Sequence, residues 1–173
     1  TRFYERREVK DVLAYLRLLH NPYDVVSFTR IVNVPGRGIG AKTISDLERW
    51  AQRLGVPLYA ALQVIAQQET GSAAAPASGL AHEERHPIGG RQAKTLVALL
   101  HLLDELVAVA SNNNLSTLLD AVLEHTAYRR WLFAEFEEPE AEERWANVGE
   151  LRNVAAEYDG LQPGHALVSF LED

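Results

Sequence analysis

Apolar residues spaced three and four apart recur along almost the whole chain, and that spacing admits one kind of architecture. Val9, Val12, Leu13, Leu16 and Leu19 lie on one face of a helix that stops at Asn21-Pro22. Ile44, Leu47, Trp50, Ala51 and Leu54 form a second such face ending at Gly55. Pro57 then opens another helix through Leu58, Ala61, Leu62 and Ile65. Leu96, Leu99, Leu100, Leu103, Leu106, Val107 and Ala110 predict a long helix closed by Asn112-Asn113-Asn114, after which Ser116 reads as the cap of a helix carrying Leu118, Leu119, Val122 and Leu123. Beyond an aromatic cluster (Tyr128, Trp131, Phe133, Phe136), Ala141, Trp145, Val148, Leu151, Ala155 and Tyr158 predict a helix ending at Gly160. His165 to Glu172 adds a last short turn. No useful stretch alternates with the period of two that a strand requires, so the expected fold is all-α. With 173 residues, the chain suits one helical domain over 1–173 that buries roughly 70% of its unfolded surface.

Two segments break the periodicity. Residues 69–89, with Gly71-Ser72-Ala73-Ala74-Ala75-Pro76-Ala77-Ser78-Gly79 at their centre, are small, polar and unpatterned, and are expected to form a mobile loop. The other is Val34-Pro35-Gly36-Arg37-Gly38-Ile39-Gly40-Ala41-Lys42-Thr43-Ile44, a proline-glycine corner that ends one apolar helix pattern, through Ile31, and opens the next. The three glycines within residues 36–40 exceed what a simple bend needs. Glycine lets backbone approach a ligand closely, and the first N–H groups of the following helix lack intrahelical partners and carry its partial positive charge. Lys42 in that first turn opposes the helix dipole, a cost that a bound anion cancels. Arg37, Lys42 and Thr43 add two cations and a hydroxyl without an array for reading bases, so the chemistry points to a nucleic-acid phosphate backbone. Gly90-Arg91-Gln92-Ala93-Lys94-Thr95-Leu96 echoes this pattern at another helix start. Two of the three lysines, Lys42 and Lys94, occupy matching places, which adds Arg91 and Lys94 as candidate phosphate contacts.

Two rival motifs fail on context. Gly36 to Thr43 nearly fits G-x-x-x-x-G-K-[ST], but Ala41 stands at the second glycine, where a β-carbon obstructs the phosphate, and the preceding Phe28, Ile31 and Val32 read as helix rather than strand. No later segment resembles a strand ending in a magnesium-binding Asp. His82-Glu83-Glu84-Arg85-His86 matches H-E-x-x-H, yet it lies in the small-residue excursion and Pro87 follows at once, so a rigid zinc site is not expected. There is no Cys, hence no disulfide and no thiol nucleophile, and no Ser/His/Asp set emerges. No cofactor or metal is assigned to this chain, which is not expected to be an enzyme by itself.

The net charge of −7 conceals a split. Residues 1–60 hold ten Lys and Arg against six Asp and Glu, whereas residues 61–173 hold seven against eighteen. The glycine corner lies in the basic part, and the acidic run from Glu135 to Glu143 reads as a solvated face. No secretory signal and no apolar run near 18 residues occur, so the expectation is a cytoplasmic chain that engages no membrane. The absence of Met, including at position 1, suggests that Thr1 is internal to a longer protein.

Phe3-Tyr4-Glu5-Arg6-Arg7-Glu8-Val9-Lys10-Asp11-Val12-Leu13-Ala14-Tyr15-Leu16-Arg17, with Asn21-Pro22, Arg30-Ile31-Val32-Asn33-Val34-Pro35 and Gly36-Arg37-Gly38-Ile39-Gly40, resembles the 2B subdomain of the UvrD/PcrA/Rep group of superfamily 1A DNA helicases. The likeness is good over 1–65, fair over 90–106 and 147–171, and poor in the Ala-rich excursion and near 133–143. Asn147-Val148-Gly149-Glu150-Leu151 and Ser169-Phe170-Leu171 resemble the stretch before such helicases return to their second motor domain. The resemblance implies a helical insertion in an ATP-driven, 3′-to-5′ translocating helicase whose ATP and magnesium belong to motor domains outside this chain. It implies that Gly38, Ile39, Gly40 and Thr43 contact duplex DNA, with Arg37 and Lys42 added from the chemistry above. Implied partners are duplex DNA, the parent's motor domains and accessory repair or replication proteins. The alternative is a docking or autoinhibitory module that acts through the acidic part without touching DNA.

Overall fold

In the computed structural model, which describes residues 2–71 and 84–173, a single 3-10 turn (Phe3–Glu5) leads into nine α-helices, with no strand among the described residues. Helix α1 (Arg7–His20) buries Val9, Val12, Leu13, Leu16 and Leu19, the residues whose spacing predicted it. Asp24 caps α2 (Val25–Ile31) by accepting the Ser27 N–H at 3.0 Å. Helix α3 (Ala41–Leu54) stops at Gly55, which takes φ 71°. The Gly55 N–H donates to the Gln52 carbonyl and the Val56 N–H to the Ala51 carbonyl, both at 3.1 Å, a paired closure that satisfies two otherwise orphaned carbonyls. Pro57 sits one residue before α4 (Leu58–Thr70), as its N-cap rather than its first helical residue.

The remaining helices are α5 (Gly90–Asn112), α6 (Leu115–His125), α7 (Tyr128–Glu135), α8 (Glu138–Ala156) and α9 (Pro163–Glu172). Three details depart from expectation. Asn114, not Ser116, caps α6, its side chain accepting the Thr117 N–H at 3.0 Å, while Ser116 donates its hydroxyl to Asp159 Oδ2 at 2.5 Å. The aromatic cluster lies on or just after a helix of its own, α7, entered through Ala127 in the left-handed region (φ 54°). Helix α8 ends at Ala156, before the predicted stop at Gly160, because the chain tightens into turns there, with the Tyr158 N–H on the Ala155 carbonyl and the Asp159 N–H on that of Ala156.

The helices gather into two units, Thr1–Gly36 with Asp104–Asp173, and Arg37–Leu103. In the first, α1 is the central element, packed against α2, α6, α8 and α9, and α7 packs on α6 and α8. In the second, α3 packs on α4, and Leu47, Trp50, Leu62, Ile65, Leu96 and Leu99 supply the largest buried side chains. The loop expected over 69–89 falls mostly on residues 72–83, outside the described residues. At its edges, Glu69 and Thr70 complete α4, and residues 84–88 are tied to Gln68, whose Nε2 donates to the Glu84 carbonyl and whose Oε1 accepts the His86 N–H.

Candidate nucleic-acid interface

All eight residues singled out for phosphate contact, Arg37, Gly38, Ile39, Gly40, Lys42, Thr43, Arg91 and Lys94, belong to the second unit. The segment that leads to them is held from the first unit's own core. Tyr15, 1% exposed on α1, donates its hydroxyl to the Val34 carbonyl at 2.5 Å, and the Val34–Pro35 bond is cis. Nothing in the sequence singles out Tyr15, whose place in α1 reads simply as core.

At the corner, Gly38 and Gly40 are exposed, Arg37 and Thr43 half-buried, and Ile39 buried at 2% exposure. Ile39 therefore anchors the corner from within. Gly38 takes φ 75°, a conformation that costs an L-residue about 1–2 kcal/mol. Gly40 is extended (φ −93°, ψ 174°) and forms the N-cap of α3, and an added Cβ would meet nothing within 4 Å. Among the described residues no side chain caps that helix, so the first N–H groups of a 14-residue helix are left without a cap beside the exposed Gly38 and Gly40.

Lys42 extends into solvent with its side chain 90% exposed, and its Nζ lies 3.0 Å from Asp46 Oδ2. Asp46 also receives Arg49 at 2.9 Å. The Lys42 hydrogen bond, with the charges of Lys42 and Arg49, holds the Asp46 carboxyl below its ordinary value, so both cations share one ionised partner. The echo segment is placed differently. Helix α5 starts at Gly90, with the Ala93 N–H bonded to the Gly89 carbonyl, so Lys94 falls in the second turn and Ala93 is fully buried, whereas Lys42 lies in a first turn behind an exposed Ala41. Arg91 and Lys94 are exposed, but the matching letters do not occupy matching positions relative to helix ends.

Of the H-E-x-x-H letters, His82 and Glu83 lie outside the described residues. His86 is buried against Trp50, accepts the Ile88 N–H on Nδ1 at 3.2 Å and places Nε2 3.3 Å from Glu69 Oε1. Burial and the neighbouring Arg85 hold its pKa below the ordinary value, favouring a neutral ring that ties the segment after residue 83 to α4. Among the described residues no group of three or more His, Asp or Glu is placed to hold a metal, and no helix is long and apolar enough to cross a membrane.

The family model for the UvrD-like helicase C-terminal domain matches residues 1–173, and the chain belongs to that family. It is 32% identical over 173 residues to the ATP-dependent DNA helicase PcrA of Bacillus subtilis, a match covering all of this chain and 21% of the relative. The ATP-dependent DNA helicase UvrD1 of Mycobacterium tuberculosis is 36% identical over 157 residues, 91% of this chain and 18% of the relative. PcrA of Leuconostoc citreum is 30% identical over 158 residues, 91% and 19% respectively. The chain thus spans about a fifth of the length of the curated relatives it matches.

Proposed function

We propose that this chain is the 2B-type subdomain of a UvrD/PcrA-like DNA helicase and that it holds duplex DNA by its phosphate backbone, without reading sequence, through the Gly38–Gly40 corner and the start of α3. The observation that carries this reading is the exposed, uncapped N-terminus of α3 behind Gly40, with Lys42 projecting beside it. Arg37 and Thr43 complete the contact, and Arg91 and Lys94 offer further exposed charge on α5. The relatives' names support DNA as the partner of a parent protein, whose ATP-driven 3′-to-5′ unwinding and magnesium use belong to motor domains elsewhere. In that setting the subdomain tunes unwinding and answers to the motor domains and to repair or replication factors. Alone, it hydrolyses nothing. Two to four phosphate contacts place its own affinity in the nonspecific range of about 10⁻⁴–10⁻⁶ M.

Gly40→Asp tests the site because it separates stability from binding. Aspartate is a better N-cap than glycine and fits the extended backbone and open space at Gly40. Its carboxylate would occupy the amides that the proposal assigns to phosphate, and would repel that phosphate. Titrating a fluorescent hairpin duplex into the chain over a salt series should show binding that weakens with salt and is lost in Gly40→Asp, while the melting temperature holds or rises slightly. Equal binding by both proteins would remove the site. A chain that binds no duplex even at low salt would favour docking to protein, for which the first unit exposes Tyr4, Tyr23, Val25 and Val26.

A further inference from the structure

Lys42, Asp46, Arg49 and Arg53 recur at intervals of four, three and four, a single stripe along α3. The structure bears this out in exposure: the side chains of Lys42, Arg49 and Arg53 are 90%, 71% and 62% exposed, with Asp46 set lower between the first two at 22%. Glu48, the other acid of α3, falls on a different side of the helix. From Lys42 to Arg49 the axial rise is about 10 Å, and to Arg53 about 16 Å. The first distance matches roughly three phosphate intervals along one strand of a duplex. Beside the stripe runs a groove of about 640 Å³ lined by Asp46, Arg49, Trp50, Gln52, Arg53 and Pro87. Arg49, Gln52 and Arg53 present it with donors, and the buried indole N–H of Trp50 has no hydrogen-bond partner among the described residues.

We propose that the duplex-binding surface continues from the glycine corner along the outer face of α3 to Arg49 and Arg53, and that Asp46 is a built-in counter-ion that competes with DNA phosphate for Lys42 and Arg49. The inference rests on the proposed phosphate site at the start of α3 and extends it. One carboxylate holds two cations at 3.0 and 2.9 Å, so a phosphate arriving at Lys42 must displace that carboxylate or share the cation with it. Arg53 is similarly engaged by Glu84 at 2.8 Å. Both acids are exchangeable, since exposed ion pairs are weak and are screened by salt. A surface with its cations already half-neutralised grips DNA loosely, which suits a contact that must be made and released as a motor advances.

The test is fluorescence anisotropy of a labelled hairpin duplex titrated with the 173-residue chain over a salt series, with thermal melts confirming that each variant is folded. Asp46→Asn is expected to bind about two- to fivefold more tightly at low salt, a gain that disappears in Asp46→Asn combined with Arg49→Ala. Arg49→Ala and Arg53→Ala should each weaken binding and reduce the slope of log affinity against log salt by about 0.9, the loss of one phosphate contact. If Asp46→Asn binds no more tightly and Arg49→Ala and Arg53→Ala leave the slope unchanged while Gly40→Asp still abolishes binding, the corner stands and the extension along α3 is wrong. If Gly40→Asp is also without effect, the corner itself is refuted, and the extension with it.

Discussion

Asp11 is 2% exposed, yet it lies on the face of α1 that carries the apolar core. It accepts the Tyr128 hydroxyl at 2.8 Å and Arg30 Nε at 3.0 Å, while Glu8, one turn earlier and equally buried, receives Arg144 at 2.9 Å and Asn147 at 2.7 Å. Arg144 also lies over the Phe136 ring, 4.1 Å from its centroid. None of this was legible in the sequence, because Glu8 pairs with residues 136 and 139 positions away and Asp11 with one 117 away, and periodicity reports only local neighbours. Burial raises the Asp11 pKa above its ordinary 3.8, although Tyr128 and Arg30 pull it down, and burial next to Asp11 pushes the Tyr128 phenol far up. The folded state therefore holds the Asp11 proton more tightly than the unfolded chain does. This contribution to stability is complete below pH 3.8 and is lost as pH rises through the folded-state value. Asp11→Asn keeps an acceptor and removes the buried charge. The melting temperature of Asp11→Asn relative to the parent chain should accordingly be more favourable at pH 7 than at pH 3.5, and melts across that range would disprove the account if the difference were flat or reversed.

Among elements, the glycines show where sequence reasoning succeeds and where it stops. Three glycines in five residues signalled a corner built from backbone, and a corner is found, but the letters cannot say which glycine is obligatory. Gly38 alone of the three has positive φ, whereas Gly36 and Gly40 do not. Gly38→Ala should therefore cost about 1–2 kcal/mol, and Gly55→Ala at the end of α3 a similar amount, whereas Gly40→Ala should cost less, because its extended backbone and open space suit an L-residue and only the N-cap preference for glycine over alanine is lost. Urea unfolding of the three variants measures this directly, and equal losses at Gly38 and Gly40 would contradict it. In consequence Gly38→Ala is a poor probe of DNA binding, since it perturbs the corner it is meant to test. Helix positions came through well because buried apolar spacing is local information, as in α1, α3 and the body of α5. The cap of α6 did not, because Ser116 is claimed by Asp159, 43 residues away, and Asn114 caps the start of the helix instead. The likeness between Lys42 and Lys94 failed at the same scale: identical triplets were set at different depths in their helices by where each chain segment leaves its turn.

Across the whole molecule, charge divides between the units in the same sense as between the two parts of the sequence, but less sharply. The unit Arg37–Leu103 holds seven Lys and Arg against five Asp and Glu, and the remainder holds ten against nineteen. A protein of net charge −7 therefore contains one modestly cationic unit, and that unit carries every residue assigned to DNA. It also has the poorer core, in which Ala51, Ala60, Ala61, Ala66 and Ala93 occupy buried positions, and a unit of this size buries only about 60% of its unfolded surface. Lower local stability is expected of it. Trp50 belongs to this unit and the half-buried Trp131 and Trp145 to the other, so the double variant Trp131→Phe/Trp145→Phe leaves one fluorophore that reports on the Arg37–Leu103 unit alone. Its fluorescence should change at lower urea than the circular dichroism of the whole chain. Adding duplex DNA at about 100 times the dissociation constant should raise the Trp50 transition by about 2.7 kcal/mol and leave the later transition in place, because a ligand stabilises only what it binds. Coincident transitions would show that α5, which runs from one unit into the other, makes them unfold together. In that case duplex DNA would shift both, and the division of stability argued from the two cores would be wrong.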